Sequence, residues 1–227
     1  MPRIAVHGSA TRSLAPERGT IYLSVNVAGD ARADVLAAAQ RAHAAVAAAA
    51  RRHVDAGDAT GWQSPDVRVW AFSDWVLVPA GRGVAPGQQE QVTRYRAGAD
   101  VQVTFTRLDA LGELVAQAGA LDGVDVLRVE WTLTDTTRDD LLRMVRAEAS
   151  RDALGRAEDY AAALDLSPVR LVALYEEGLH PGLGLQPDGP SPRHLARASA
   201  LETGGFDLRP HDIEVTARVT AELESGH

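Results

Sequence analysis

Apolar and polar residues alternate through Ile4, Val6 and Gly8, and again through Ile21, Leu23, Val25 and Val27 after the turn at Pro16-Glu17-Arg18-Gly19. A period of two puts one set of side chains on one face of extended backbone, so these runs predict two strands, joined as a hairpin. The period then changes. From Asp30, a candidate N-cap, Val35, Ala39, Ala42, Val46, Ala49 and Ala50 recur at helical spacing and predict a helix to about Val54. Alanine along such a stripe lets a helix lie close to a sheet at little entropic cost. Gly57 to Pro65 reads as a loop and Val67 to Val78 as a strand. Pro79 to Gln89, with Gly81, Gly83, Pro86 and Gly87, has turn chemistry.

Alternation resumes near Gln91 and runs to Thr106, followed by a short helix over Leu108–Leu121 and a strand over Val124–Asp135. A long helix from Thr136 spans about 43 Å at the standard rise. Thr106-x-x-Asp109 and Thr136-x-x-Asp139 have the form of capping boxes opening these helices. The inward face of the long helix reads Leu142, Val145, Ala149, Ala153, Ala157, Tyr160 and Leu164, with Asp139/Arg143 and Asp152/Arg156 as acid-first pairs on the other side. Pro168 ends it. Val169 to Glu176 is a strand, Gly178 to Pro210 a proline-rich irregular segment with a short helix at His194–Leu201, and Ile213 to Leu223 a closing strand. The order is ββα-ββ-α-β-α-ββ. It predicts an α+β fold with mainly antiparallel sheet packed on two long alanine-rich helices.

Length and composition narrow the function. At 227 residues the chain fits one domain, 1–227, or two lobes, 1–90 and 91–227, and 45% apolar with 24% charged residues is globular. A net charge of -8 argues against nucleic acid as a partner. All 23 basic residues are Arg, which reads as compositional bias. There is no Cys, so thiol catalysis, disulfides and thiolate metal sites are excluded. No stretch approaches the roughly 18 apolar residues of a membrane span. Met-Pro-Arg-Ile-Ala-Val-His-Gly enters a strand pattern directly, without a signal-peptide core, so the expectation is a cytoplasmic chain.

Candidate chemistry is sparse. His180, His194 and His211 lie in or beside the irregular segment with Asp188, Asp207 and Asp212, a donor set that suits a transition metal. Their spacings match no short metal motif, so no metal or cofactor is expected, and these three histidines are the candidates if one binds. His7, His43 and His53 read as satisfied polar contacts. No G-x-S-x-G elbow surrounds any Ser. Glu176-Glu177 point to opposite faces if both are extended, and Gly182-x-Gly184 lacks the third Gly and the helix of a dinucleotide site. No catalytic residue is assigned, and the expectation is a non-enzyme. Trp70, Phe72 and Trp75 stand out as an aromatic cluster, read either as core or as a self-association patch.

These positions together resemble the SIMPL-domain family, known from bacterial envelope proteins and a eukaryotic signalling adaptor. Its opening strand and Pro-acidic pair are matched by Ile4, Val6, Gly8, Pro16 and Glu17, with Glu where Asp is usual. Its middle section is matched by Tyr95, Ala97, Leu111, Leu114, Gly123, Leu133 and Asp135. Ala147, Ala153, Arg156, Ala157, Ala161 and Leu164 follow its long helix, and Pro210 precedes Ile213 as its last Pro precedes its last strand. His211 departs from the Gly that commonly follows that Pro. Such apolar, Gly and Ala positions specify a fold and no reaction. The resemblance implies a non-catalytic, homo-oligomeric scaffold or protein-interaction module, of a family linked to oxidative-stress defence, whose envelope members are secreted. The alternative expectation is a ligand- or metal-binding protein or enzyme that uses residues 178–210 as a lid.

Overall fold

The element order predicted from periodicity is the order found in the computed structural model, which describes residues 2–77, 89–166, 168–179 and 208–225. The elements are β1 (Arg3–Leu14), β2 (Arg18–Gly29), α1 (Arg32–Asp55), β3 (Ala59–Leu77), β4 (Gln89–Phe105), α2 (Leu108–Gly119), β5 (Val124–Thr132), α3 (Asp135–Ala163), β6 (Val169–Glu176) and β7 (Ile213–Ser225). They form a three-stranded sheet, β1-β7-β6, and a four-stranded sheet, β3-β4-β2-β5. Every pairing is antiparallel, so the fold is α+β.

The described elements divide into two compact units. One joins β1, α3, β6 and β7; the other joins β2, α1, β3, β4, α2 and β5. This overturns the hairpin expected for the first two strands. β1 pairs with β7, Arg3 opposite Glu224 through Leu14 opposite Ile213, whereas β2 lies between β4 and β5. Alternation reports which face of a strand is apolar, not which strand completes its ladder.

In the unit built on α3, Val6, Val219, Ala221 and Leu223 meet a helix face of Ala149, Ala153 and Ala157. The approach is close because β1 has no side chain at Gly8. A Cβ there would lie 2.7 Å from Ala153 Cβ and run into the backbone at Ala149 and Ala153. The buried residues of α3 fall in strict fours, Val145, Ala149, Ala153, Ala157 and Ala161, the i±4 ridge of a helix surface. Tyr160 and Leu164, expected to face inward, lie off that ridge and are 59% and 64% exposed. The cap also differs. Thr134 accepts from Thr137 N–H at 3.3 Å, two residues before the expected Thr136. Asp152 pairs with Arg156 as expected, whereas Arg143 pairs with Asp140 and Asp139 lies beside Arg138.

In the other unit, Ile21, Leu23 and Val25 of β2 and Val101, Val103 and Phe105 of β4 pack under Val35, Val46 and Ala50 of α1 and Leu111 and Leu114 of α2. Asp30 does not cap α1. The N-cap is Ala31, without a side-chain bond, and Asp30 instead accepts from Arg94 Nε at 2.8 Å. Gly57, at φ 77°, takes the left-handed position that ends α1. β3 begins two residues later, so most of the expected 57–65 loop is strand, with a register shift between Gln63 and Asp66 around Pro65. Thr106 does not cap α2 either; its hydroxyl donates to the Asp58 carbonyl at 3.2 Å. Among the described residues, no helix is long and apolar enough to cross a membrane.

Candidate functional site

β3 is one of the two edge strands of the four-stranded sheet and, at 19 residues, the longest strand among the described residues. Its two halves differ in support. β2 stays beside β4 only as far as Gly29 opposite Tyr95. Among the described residues, β3 and β4 continue beyond that point without a third strand, from Phe72 opposite Arg94 to Leu77 opposite Gln89, as a two-stranded ribbon. No residue from Trp70 to Leu77 or from Gln89 to Arg96 is buried. A ribbon of two strands has no core of its own and is marginal in water.

The aromatic cluster lies on this edge and outside the buried core. Trp70 is 41% exposed and Trp75 60%, and Leu77 and Val67 are more open still. Alternation sets Trp70 and Phe72 on one face and Trp75 on the other, the face on which Val69 reaches the core. Phe72 is half-buried because the Arg96 guanidinium lies 5.0 Å from its ring centre. Arg96 Nε is buried without a hydrogen-bond partner among the described residues, and the guanidinium lies over the negative face of the ring. Charged groups hold the ribbon to its base: Arg94 reaches Asp74 at 3.3 Å and Asp30 at 2.8 Å, and Arg68 reaches Asp66 at 3.1 Å and Asp100 at 2.8 Å. Asp74 also accepts from the N–H of Trp75 at 2.9 Å. On the same outer face, Tyr22 donates to Glu130 at 2.7 Å, which, ahead of all else, lifts the phenol above its ordinary range, and the Arg128 guanidinium lies 3.9 Å from the Tyr22 ring centre.

Among the described residues the histidines do not converge. His53 and Asp58 are both buried, with His53 Nδ1 3.1 Å from Asp58 Oδ2 and Arg107 donating to Asp58 Oδ1 at 2.7 Å. The Asp58 carbonyl also accepts from the N–H groups of Thr106 and Arg107. This clamp ties the end of α1 to the β4–α2 junction. Sequence reading missed Asp58; its signal is a helix with His53 in its last turn, a Gly at 57 and an acid next to it. His43 meets Ser64 at 3.1 Å and His7 meets Thr220 at 3.0 Å, each a satisfied polar contact. His211 is exposed, and His180 and His194 lie outside the described residues, as does most of the segment proposed as a lid. Among the described residues, no three His, Asp or Glu side chains gather as metal ligands would. Glu176 and Glu177 pair with Arg146 and Arg218, at 3.2 and 3.0 Å, and share no site. A surface indentation of about 200 Å³ at the β3 bulge is lined by Thr60, Gly61, Trp62, Gln63, Gln102 and Thr104, none of them ionisable. It is smaller than a typical ligand pocket.

A second charged cluster fastens β1 to α3. Ser9 N–H donates to Asp152 at 2.9 Å, and that bond, ahead of the Arg156 guanidinium, holds the carboxyl below the usual range. Arg12 grips Glu148 with two bonds of 3.1 and 2.6 Å, which lowers the Glu148 carboxyl and raises the guanidinium.

A family model named SIMPL and described as a protein of unknown function (DUF541) matches residues 4–223. No curated protein matches the chain.

Proposed function

The chain belongs to the SIMPL family, and from that premise we propose that it is a non-catalytic, self-assembling protein-interaction module whose associating surface is the β3 edge. The observation that carries this reading is the unsupported ribbon. Trp75 and Leu77, 60% and 67% exposed, sit on paired strands that no third strand or helix covers among the described residues. Burying a side chain of that size contributes about 1.5–3 kcal/mol, and an open strand edge offers a row of backbone donors and acceptors to a further strand. Strand addition to this edge satisfies both at once.

The test is the solution mass of the purified chain by light scattering over a wide dilution series. Self-assembly predicts a mass that is a multiple of 24.1 kDa at high concentration. A mass of one chain at every concentration contradicts the reading.

A further inference from the structure

Between Pro65 and Leu77, β3 reads Asp-Val-Arg-Val-Trp-Ala-Phe-Ser-Asp-Trp-Val. Reversed about Ala71, this run complements itself. Val67 falls opposite Trp75, Arg68 opposite Asp74, Val69 opposite Ser73 and Trp70 opposite Phe72. Resting on the reading of β3 as an associating edge, we infer that two copies of this chain join by antiparallel β3–β3 pairing centred on Ala71, over residues 66–76.

Four observations support that register. Opposed residues in an antiparallel pair share a face; Trp70–Phe72 and Val67–Trp75 set apolar against apolar and Arg68–Asp74 sets charge against countercharge, while Val69 meets Ser73 and, at the two ends, Asp66 meets Val76. On the outer face Arg68 meets Asp74 twice, once on each side of the two-fold, flanking two Trp70–Phe72 pairs. On the other face Val67 meets Trp75. These are the residues that stand open on the edge: Val67 is 68% exposed, Trp70 41% and Trp75 60%. Neighbouring registers fail. Centring on Trp70 sets Asp66 against Asp74, centring on Arg68 sets Arg against Arg, and centring on Asp74 sets Asp against Asp; like charges directly opposed are destabilising. Centring on Phe72 leaves Asp74 facing Trp70.

Pairing has built-in limits. Pro65 has no N–H to donate and sits at the register shift, so the ladder stops there. Within one chain Asp74 accepts from the N–H of Trp75. That bond occupies a donor needed by an added strand and guards the free edge against unspecific pairing. In the dimer Trp75 N–H passes to the Val67 carbonyl of the second copy, and the freed carboxylate oxygen turns to that copy's Arg68. A two-fold contact of this kind uses one patch twice and closes on itself.

Because the chain contains no Cys, single thiols report the register. Ala71→Cys places two thiols directly opposite, where antiparallel Cα separations of about 4.5–5.5 Å permit a disulfide. Val67→Cys places them eight residue steps apart, about 27 Å. Mild oxidation should give a covalent dimer from Ala71→Cys and none from Val67→Cys. Separately, Arg68→Ala and Asp74→Ala should each weaken association about two- to thirtyfold, the loss of two cross-strand charge pairs, and the double variant should weaken it by less than the product of the two. Equal crosslinking at both positions, or none at either while the mass stays multimeric, overturns the register and leaves self-association standing. A single-chain mass at every concentration overturns both. Should a charge variant fail to fold by circular dichroism, the crosslinking pair alone decides.

Discussion

Gly8 carries more of the packing than its size suggests. It leaves β1 bare where α3 crosses, and the helix fills the space with backbone at Ala149 and Ala153, which cannot move aside as a flexible side chain would. Gly8→Ala should therefore destabilise the chain by about 1–3 kcal/mol or more, read from urea unfolding midpoints at unchanged slope. Asp152 acts at the same junction by charge. Its folded pKa lies below its unfolded value because Ser9 N–H and then Arg156 favour the carboxylate. Such a group stabilises the fold above the ordinary carboxylate range and loses that contribution as pH falls through the depressed value. Asp152→Asn should lower the melting temperature at neutral pH, and the gap from the unaltered chain should close as pH drops from about 5 toward 2. A gap that widens in acid contradicts the assignment.

At the scale of elements, the strength and the limit of periodicity both show. Strict alternation from Ile213 to Leu223 located β7, and the alanine repeat located α3, because each pattern is a direct record of one buried face. Partners and ends were less legible. β1 and β2 looked like a hairpin since both alternate, yet the choice of ladder depends on distant strands that alternation does not encode. β3 looked short because Pro65 and a bulge interrupt its pattern, although a strand can run through such a defect at a sheet edge. Tyr160 fitted a face drawn at mixed three- and four-residue spacing, but the packed ridge runs only in fours. The aromatic cluster was visible as composition; that it lies on a ribbon without a third strand depends on where β2 stops. Caps turn on single backbone angles, which is why Thr134 was missed for Thr136. Thr134→Ala removes the bond to Thr137 N–H and should cost about 1 kcal/mol in thermal or urea unfolding. Thr136→Ala, inside the helix and without a capping bond, should be neutral or stabilise by a few tenths.

At the scale of the whole molecule, the β3 edge is the proposed place where copies meet, and the histidines are individually satisfied or exposed among the described residues. Aromatic side chains, opposed charges and an open ladder coincide on residues 66–76, and that coincidence makes a local forecast: the amides of this segment, and not those of the sheet at large, should respond to concentration. Peptide-level hydrogen exchange followed by mass spectrometry over a dilution series measures it directly. The account predicts that amides of residues 66–76 exchange slowly in concentrated solution and fast on dilution, while β2 and β7 hold their protection throughout. Unchanged exchange in 66–76 while the solution mass rises, or new protection confined to another strand, contradicts it.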